Sequence, residues 1–309
     1  MNENITVSVI VPAYYESKNL YNLYERLAPV LVNLKLSYEI IFVDDGSKDD
    51  TWEIITQLSK QNNSIRGLKF SRNFGHQYAL LAGFTTAKGK AVITMDADLQ
   101  HPPELIPTLI EKWNEGNKIV NTLRTYSENI SWFKKVTSNL YYKVFSYLSG
   151  EELKPDMADF KLLDRIVVDE LLKMKENGFF IRGLINWMGF KNTAVKFTSG
   201  ERTFGKSKYT LKKMIKFAWM GVISFSVIPL RLGIILGFLT SIIAFYQLVE
   251  ALYAYFILQT TVPGWTSTTV LLTILFGVLF ILIGLIGEYI SRILIEIRNR
   301  PRFIISEKI

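Results

Sequence analysis

The sequence contains no cysteine among its 309 residues. This absence excludes disulfide bonds and thiolate metal sites, and it fits a reducing compartment. Histidine is scarce as well, since His76 and His101 are the only two. We expect each histidine to make a polar contact in a loop rather than to catalyse a reaction. The apolar run at residues 7–11 is too short for a signal peptide and has no basic region before it, so we expect no cleaved leader.

Glycine-rich phosphate-binding motifs are the second feature that we expect the sequence to lack. The GxGxxG fingerprint of dinucleotide-binding folds does not occur, and we expect no P-loop nucleotide site. A nucleotide bound here would have its phosphates neutralised by a metal ion and basic side chains, which favours a nucleotide-sugar over NAD or ATP. The net charge of +8 alone is compatible with nucleic acid, an anionic membrane or a phosphorylated substrate.

Apolar runs alternate with helical patterns between residues 6 and 118, which predicts βαβ units and a parallel sheet. The predicted strands lie at residues 7–11, 38–43, 65–70 and 91–95. Ligands of such sheets bind beyond the carboxyl ends of the strands. Acids and turn residues follow three of these ends, as PAYYE at 12–16, DDGS at 44–47 and DAD at 96–98. We therefore expect the functional site at this edge of the sheet.

The fourth predicted strand ends in Asp96-Ala97-Asp98. Alternation along an extended chain puts Asp96 and Asp98 on the same side, where two carboxylates repel each other unless a cation lies between them. Oxygen ligands of this kind suit Mg²⁺ or Mn²⁺, and Gln100 adds a neutral oxygen one alternate position further on. The alternative interpretation is that both aspartates are only loop or capping residues.

Seven segments extend the pattern along the chain: VIVPAYYESKNL, IIFVDDGSKDDT, SRNFGHQYALLAGF, ITMDADLQHPPELI, ADFKLLDR, FIRGLINWMGF and RTFGKSKYTLKKM. In this order they resemble the inverting glycosyltransferases of family 2. More narrowly, they resemble the polyprenyl-phosphate glycosyltransferases, which include bactoprenol glucosyltransferases and dolichyl-phosphate mannose synthase. Two positions depart from the pattern that we expect for the family, because His76 replaces a lysine and Ala158 replaces a glycine.

The resemblance implies a GT-A fold, which is an α/β domain with a mostly parallel sheet, and it implies roles for particular residues. The nucleotide-sugar would contact Pro12, Ala13, Tyr14, Glu16, Asp44, Asp45, Arg72, Asp96 and Ala97. The metal ion, Mg²⁺ or Mn²⁺, would be held by Asp96, Asp98 and Gln100. The catalytic carboxylate would be Asp159. Phosphate groups, including the lipid phosphate, would meet Arg124, Arg202, Ser207 and Lys208.

Several of these assignments have structural alternatives. Asp44 could orient the loop that carries Asp45 without touching a ligand. Arg72 could brace a strand-to-helix turn together with Asn73, and Arg124 could be a surface charge. Helical patterns at residues 130–148 and 179–187 are compatible with core packing, with an acceptor channel or with a cover over the site.

The last third of the chain has a different composition. Basic residues without an intervening acid occur at Arg202, Lys206, Lys208, Lys212, Lys213 and Lys216, which indicates a helix on an anionic membrane surface. Uncharged runs follow at 232–249 and 269–287, and each suits a hydrocarbon core of about 30 Å. Lys and Arg flank this pair of runs but are absent between them, so the positive-inside rule places both ends in the cytoplasm.

The predicted organisation has three parts. A cytoplasmic GT-A domain occupies residues 1–200, and a basic amphipathic juxtamembrane segment occupies 201–228. A transmembrane hairpin occupies 229–309, with spans at about 230–253 and 268–290 and a cytoplasmic C-terminal tail. The expected location is the bacterial inner (plasma) membrane, with more than one membrane crossing.

The predicted activity is transfer of glucose from UDP-glucose to undecaprenyl phosphate, a polyprenyl phosphate, at the cytoplasmic leaflet. Alternatives are another sugar such as GlcNAc or mannose, a processive polysaccharide synthase, or a non-catalytic membrane scaffold. The synthase is disfavoured because a QxxRW acceptor motif is absent. We expect no nucleic-acid partner, since the basic residues flank the membrane spans. A homo-oligomer is compatible with the sequence, and the resemblance implies a flippase and a further transferase downstream.

Overall fold

The computed structural model describes residues 5–125, 157–174, 181–198, 228–257, 264–298 and 300–309. These residues form two compact units. The first contains the described residues up to 198 together with 300–309, and the second contains those from 228 to 298. The last ten residues therefore belong to the first unit, whereas the predicted organisation grouped them with the membrane hairpin.

The first unit is an α/β structure. Its strands are β1 (Val7–Ala13), β2 (Tyr38–Asp44), β3 (Ile65–Phe70), β4 (Ala91–Thr94), β5 (Ile119–Thr125), β6 (Met157–Asp164), β7 (Asn192–Thr198) and β8 (Ile305–Lys308). Its helices are α1 (Ser17–Asn33), α2 (Thr51–Gln61), α3 (His76–Thr86), α4 (Ile106–Asn114), α5 (Arg165–Lys173) and α6 (Ile181–Trp187). A short 3₁₀ turn, Pro103–Leu105, precedes α4.

The strands form one eight-stranded sheet in the order β7-β5-β6-β4-β1-β2-β3-β8. The four strands β4, β1, β2 and β3 are parallel to one another, and β5 is parallel to β7. The strands β6 and β8 run antiparallel to their neighbours. The predicted α/β class with a mostly parallel sheet is confirmed, and the carboxyl ends of β1, β2 and β4 share one edge.

Burial on both faces explains why the central strands are nearly continuous apolar runs. Every residue of β1 is buried. Helix α1 covers the sheet with leucines at helical spacing, namely Leu20, Leu23, Leu27 and Leu31. Helix α3 lies closer still, because a Cβ added at Gly83 would overlap Cγ2 of Ile10 in β1. This close packing fixes the start of α3 relative to the edge where the acids collect.

The C-terminal strand β8 extends the sheet beyond β3. Its sequence, ISEK, is short and all four side chains are exposed. The backbone N–H groups of Gly67 and Ile309 each donate to the carbonyl of the other residue, at 3.1 and 3.0 Å. The chain thus leaves the first unit before residue 228 and re-enters it at residue 300.

The second unit consists of two long helices, α7 (Ile228–Phe256) and α8 (Trp265–Ile297). They pack against each other closely, since a Cβ added at Gly233 would lie 2.6 Å from Cδ2 of Leu282. Among the described residues, Val270–Ile297 is long and apolar enough to cross a membrane, and Gly237–Glu250 is a shorter apolar segment. One candidate span is therefore present in the described chain.

We expect Gly83→Ala to destabilise the first unit by about 1–3 kcal/mol, the usual cost of overpacking a core. The added methyl group would overlap Ile10 and force α3 away from β1. Thermal unfolding of the purified chain, followed by near-ultraviolet circular dichroism, measures the effect. Gly277→Ala in α8 is the matched control, because a Cβ there meets open space. Identical melting of both variants and the wild type would contradict the close packing of α3.

Candidate active site

The Asp96–Asp98 turn follows β4 at the carboxyl edge of the sheet. The Met95 N–H still bonds to the Ile10 carbonyl at 3.0 Å, and the chain then turns away from β1. Leu99 adopts a left-handed backbone conformation with φ of 64°, and the N–H of Gln100 bonds back to Asp98 Oδ1 at 3.2 Å. Asp98 is 7% exposed, whereas the Asp96 side chain is 34% exposed. The turn therefore presents one accessible and one nearly buried carboxylate.

A divalent cation suits this donor set. Within the described ranges, no group of three or more histidine, cysteine or acidic side chains could enclose a metal ion. Mg²⁺ and similar ions are commonly held by one or two carboxylates, with waters and substrate phosphates completing the shell. Asp96, Asp98 and Gln100 thus fit a metal that is shared with a phosphorylated ligand.

His101 anchors the same turn from beneath. It is 1% exposed and stacks on Phe160 with ring centroids 5.3 Å apart. Its Nδ1 accepts a hydrogen bond from the N–H of Asp96 at 2.9 Å. Burial lowers the pKa of His101, which matches the neutral state that an accepting Nδ1 requires. His101 is therefore a loop contact, as the sequence analysis expected.

Asp159 lies on β6 in a bidentate ion pair with Arg182 of α6. The two contacts measure 2.6 Å from Nε to Oδ1 and 2.7 Å from an Nη atom to Oδ2. Burial by itself would raise the pKa of Asp159, but the charge and hydrogen bonds of Arg182 outweigh it and hold the pKa well below its usual value. Asp159 is therefore an ionised carboxylate that a guanidinium group already engages.

His76, at the start of α3, lies between this ion pair and the Asp96–Asp98 turn. Its Nε2 lies 3.5 Å from Asp159 Oδ2 and 3.7 Å from Asp96 Oδ1. The side chain of His76 is 40% exposed. Partial desolvation lowers its pKa, but the hydrogen bond to Asp159 and the charge of Asp96 outweigh this effect and raise the pKa to about 9. His76 is thus a cation at neutral pH, the charge that the expected lysine would carry.

Lys161 adds another cation two residues along β6 from Asp159. It is 3% exposed. Burial lowers the pKa of Lys161 to about 8, although the charge of Asp159 opposes this shift. Sequence reasoning missed both Lys161 and Arg182. A signal for Lys161 was its charge within the apolar strand pattern DFKLL, and a signal for Arg182 was its place within the family segment FIRGLINWMGF.

Asp45, after β2, holds the loop between β3 and α3. Its carboxylate accepts hydrogen bonds from Asn73 Nδ2 at 2.8 Å and from the N–H groups of Phe74 at 2.7 Å and Gly75 at 3.0 Å. The guanidinium of Arg72 lies 4.1 Å from the centre of the Phe74 ring. Both residues of the proposed brace, Arg72 and Asn73, thus contribute to this turn, and Arg72 is also exposed at the site edge.

Asp44 points the other way and is completely buried. Its Oδ1 accepts the N–H of Ser47 at 2.9 Å, and burial raises the pKa of Asp44. A Cβ added at Gly46, which has φ of 73°, would overlap the backbone carbonyl carbon of Arg72. The geometry supports the alternative in which Asp44 orients the loop that carries Asp45.

The loop after β1 is tied to the loop after β2. Tyr14 and Tyr15 contact edge to face, with ring centroids 4.6 Å apart. The N–H of Tyr15 bonds to Ser47 Oγ at 3.0 Å, and the N–H of Glu16 bonds to Thr51 Oγ1 at 3.1 Å. The remaining predicted contacts, Pro12, Ala13 and Ala97, are buried at the same edge. The structure therefore brings the predicted nucleotide-sugar residues to adjoining loops.

Arg124, on β5, is half-buried, and its Nε is enclosed without a hydrogen-bond partner among the residues that the structure describes. Its charge is one of the influences that oppose protonation of His101. Arg124 is thus partly turned into the protein near the Asp96–Asp98 turn and is not a simple surface charge.

The other predicted phosphate ligands, Arg202, Ser207 and Lys208, lie outside the described residues, as do the segments 130–148 and 201–227. The string GERTFGKS at 200–207 fits the letters of a GxxxxGK[ST] phosphate loop. The string is thus present, and its absence cannot be the reason to expect no P-loop site. These residues also belong to RTFGKSKYTLKKM, one of the segments that resemble family 2 glycosyltransferases.

Residues 8–172 match the family Glycosyl transferase family 2. The chain therefore belongs to this family, and the suspected assignment is confirmed. It is 41% identical over 307 residues to the uncharacterized glycosyltransferase YkcC of Bacillus subtilis, covering 99% of this chain and 95% of that protein. It is 35% identical over 301 residues to the SfII prophage-derived bactoprenol glucosyl transferase of Shigella flexneri, covering 97% of each.

Among solved structures, the crystal structure of mannosyl-3-phosphoglycerate synthase from Rubrobacter xylanophilus is similar, with a TM-score of 0.50 and 15% sequence identity. The similar region covers 74% of each chain. At this identity the likeness shows the fold alone, which is GT-A-like.

We expect Asp159→Asn to lose most transferase activity, and raising the pH to about 8.5 should not recover it. A general base works best with a pKa near the working pH, whereas Arg182 holds the pKa of Asp159 far below that range. The measurement is the initial rate of sugar transfer from pH 6.5 to about 8.5, within the range where a base near neutrality titrates.

Arg182→Lys is the companion variant, since it keeps the charge but cannot form the bidentate pair. It should lose activity as well. Recovery of Asp159→Asn at high pH would instead identify proton removal as the function of Asp159, and wild-type rates in this variant would remove Asp159 from the site.

Proposed function

We propose that this chain is an inverting glycosyltransferase that moves a sugar from a nucleoside diphosphate donor to the phosphate of a polyprenyl lipid. The observation that carries the proposal is the placement of the Asp96–Asp98 turn beside the Asp159–Arg182 ion pair, with His76 between them. Support for the acceptor comes from the bactoprenol glucosyl transferase of Shigella flexneri, to which nearly the whole chain is related.

The donor would bind across the loops that follow β1, β2 and β3. Tyr14, Glu16 and Asp45 belong to loops that hydrogen bonds hold together, so the nucleoside pocket would be largely preformed. UDP-glucose is the donor that we propose, and GlcNAc or mannose donors are the alternatives. Glucose is favoured by the name of the Shigella flexneri relative.

Asp96, Asp98 and Gln100 would hold Mg²⁺ or Mn²⁺. When bound, the metal would neutralise the donor diphosphate and stabilise the negative charge that develops on it as it leaves. His101 keeps the turn in place by accepting the Asp96 N–H. The protein's own contribution is thus to hold two carboxylates in position before any ligand arrives.

The acceptor would be oriented rather than deprotonated. A phosphate monoester has a second pKa of about 6 and is mostly ionised at neutral pH, so it needs little help to become a nucleophile. Arg182, His76 and Lys161 surround Asp159 with positive charge and would attract an anion. Arg124, Arg202, Ser207 and Lys208 are the further phosphate contacts that we propose.

The two helices α7 and α8 would anchor the enzyme in the bacterial plasma membrane. Residues on both sides of this helix pair belong to the first unit. If both helices cross the bilayer, the catalytic unit and the tail lie on one side, which agrees with the positive-inside rule. We propose the cytoplasmic side, where nucleotide-sugars are made, with residues 201–228 as the basic segment at the membrane surface.

A donor screen tests the proposed function. Purified protein in undecaprenyl-phosphate vesicles should transfer glucose from UDP-glucose when Mg²⁺ or Mn²⁺ is present. Asp98→Asn should lower the rate by roughly a hundredfold or more, as expected for loss of a charged group that stabilises the transition state, and EDTA should do the same to the wild type. Lys60→Ala, on the far end of α2, is the control and should keep the wild-type rate. No transfer from any UDP- or GDP-sugar would overturn the proposal.

Single cysteines test the membrane topology, because the chain has none of its own. A cysteine from Ser267→Cys, near the start of α8, should react with a membrane-impermeant maleimide added to intact cells. A cysteine from Lys60→Cys, exposed on α2, should react only after the cells are opened. Mass-shift electrophoresis reports the labelling. The reverse pattern would place the catalytic unit outside, away from its proposed donor.

A further inference from the structure

The C-terminal segment 302–309 runs along β3 towards the loop after it. The strand pairs are Leu68 with Lys308, Lys69 with Glu307 and Phe70 with Ile305. One hydrogen bond continues past the strand, because the N–H of Ser71 donates to the carbonyl of Ile304 at 3.0 Å. Ser71 is the first residue of the β3–α3 loop, so the tail reaches the base of this loop.

Aromatic contacts link the C-terminal segment to the β3–α3 loop. The Phe303 ring stacks on Phe70, with centroids 5.2 Å apart and planes at 16°. Phe70 in turn meets Phe74 edge to face at 5.6 Å. The N–H of Phe74 donates to Asp45 at 2.7 Å. Three consecutive contacts therefore connect Phe303 with a carboxylate of the proposed donor site.

Glu307 connects the tail with a second loop. Its carboxylate accepts hydrogen bonds from Trp52 Nε1 and Lys69 Nζ, both at 2.9 Å. Trp52 is 6% exposed and lies in the first turn of α2. Its neighbour Thr51 accepts the N–H of Glu16 at 3.1 Å. The tail thus contacts the elements next to both the Glu16 loop and the Asp45 loop.

We propose that the segment 302–309 is a positioning element for the donor site, acting through Phe303 and Glu307. This inference rests on the proposed function, which makes the Glu16 and Asp45 loops the donor-binding loops. The side chains of β8 itself are all exposed, so these four residues add little to the hydrophobic core. Its aromatic and ionic contacts are directed at the two loops instead.

Steady-state kinetics of the full-length protein in vesicles test the inference. Phe303→Ala should raise the KM for the sugar nucleotide about tenfold, which corresponds to about 1.4 kcal/mol, with kcat changed much less. Phe303→Tyr keeps the stacked ring and should restore the KM. Glu307→Gln should raise the KM in the same direction. Lys308→Ala, opposite Leu68 on the same strand, is the matched control and should leave KM unchanged.

Amide hydrogen exchange separates this inference from the proposed function. In Phe303→Ala, the amides of Phe74 and Gly75 should exchange faster than in the wild type and in Lys308→Ala, whether or not a nucleotide binds. If Phe303→Ala does not fold, Phe303→Leu replaces it, since leucine keeps an apolar side chain but not the stacked ring. Unchanged exchange at Phe74 and Gly75 in the folded variant overturns the inference. If the wild type binds no sugar nucleotide, the proposed function is wrong. The hydrogen-exchange result at Phe74 and Gly75 still shows whether the C-terminal segment positions the loop.

Discussion

Crowding of carboxylates at one edge of the sheet is the constraint that shapes the site. Parallel pairing of β4, β1 and β2 ends these strands together, and antiparallel β6 brings Asp159 beside them. Five aspartates collect there: Asp44, Asp45, Asp96, Asp98 and Asp159. Two unit charges 4 Å apart interact by about 4 kcal/mol at an effective dielectric constant near 20. The folded domain is stable only if other groups offset this repulsion. Different groups do so for different aspartates.

The environments divide the aspartates by role. Backbone N–H groups hold Asp45, a serine N–H meets Asp44, and a guanidinium group holds Asp159. The protein itself therefore compensates the charge of these three carboxylates. Asp96 differs, because the imidazoles of His76 and His101 both lie 3.7 Å from its oxygens, which is longer than a hydrogen bond. A divalent cation would complete this charge balance, and the metal site that we propose lies where the protein's own compensation is weakest.

The sequence predicts those parts of the fold and site that depend on local residue patterns. The four N-terminal strands and the Asp96–Asp98 turn follow from apolar runs that end in acids. The Asp159–Arg182 pair joins residues 23 positions apart and depends on where α6 packs, which periodicity does not encode. Strand β8 has no apolar alternation, since ISEK is exposed throughout, and it forms because β3 offers an unpaired edge in the tertiary structure. The domain boundary at residue 300 could not be predicted for that reason.

The charge around Asp159 bears on how the proposed acceptor would react. At neutral pH the cations Arg182, His76 and Lys161 equal in number the carboxylates Asp96, Asp98 and Asp159, so the surface around Asp159 is close to neutral before any metal binds. Lys161 has its pKa lowered to about 8, so this surface loses positive charge as the pH rises through that value. Alkaline pH would strengthen a general base but weaken anion binding. The role that we propose for Asp159 is therefore to keep Arg182 in place for a phosphate that is already ionised.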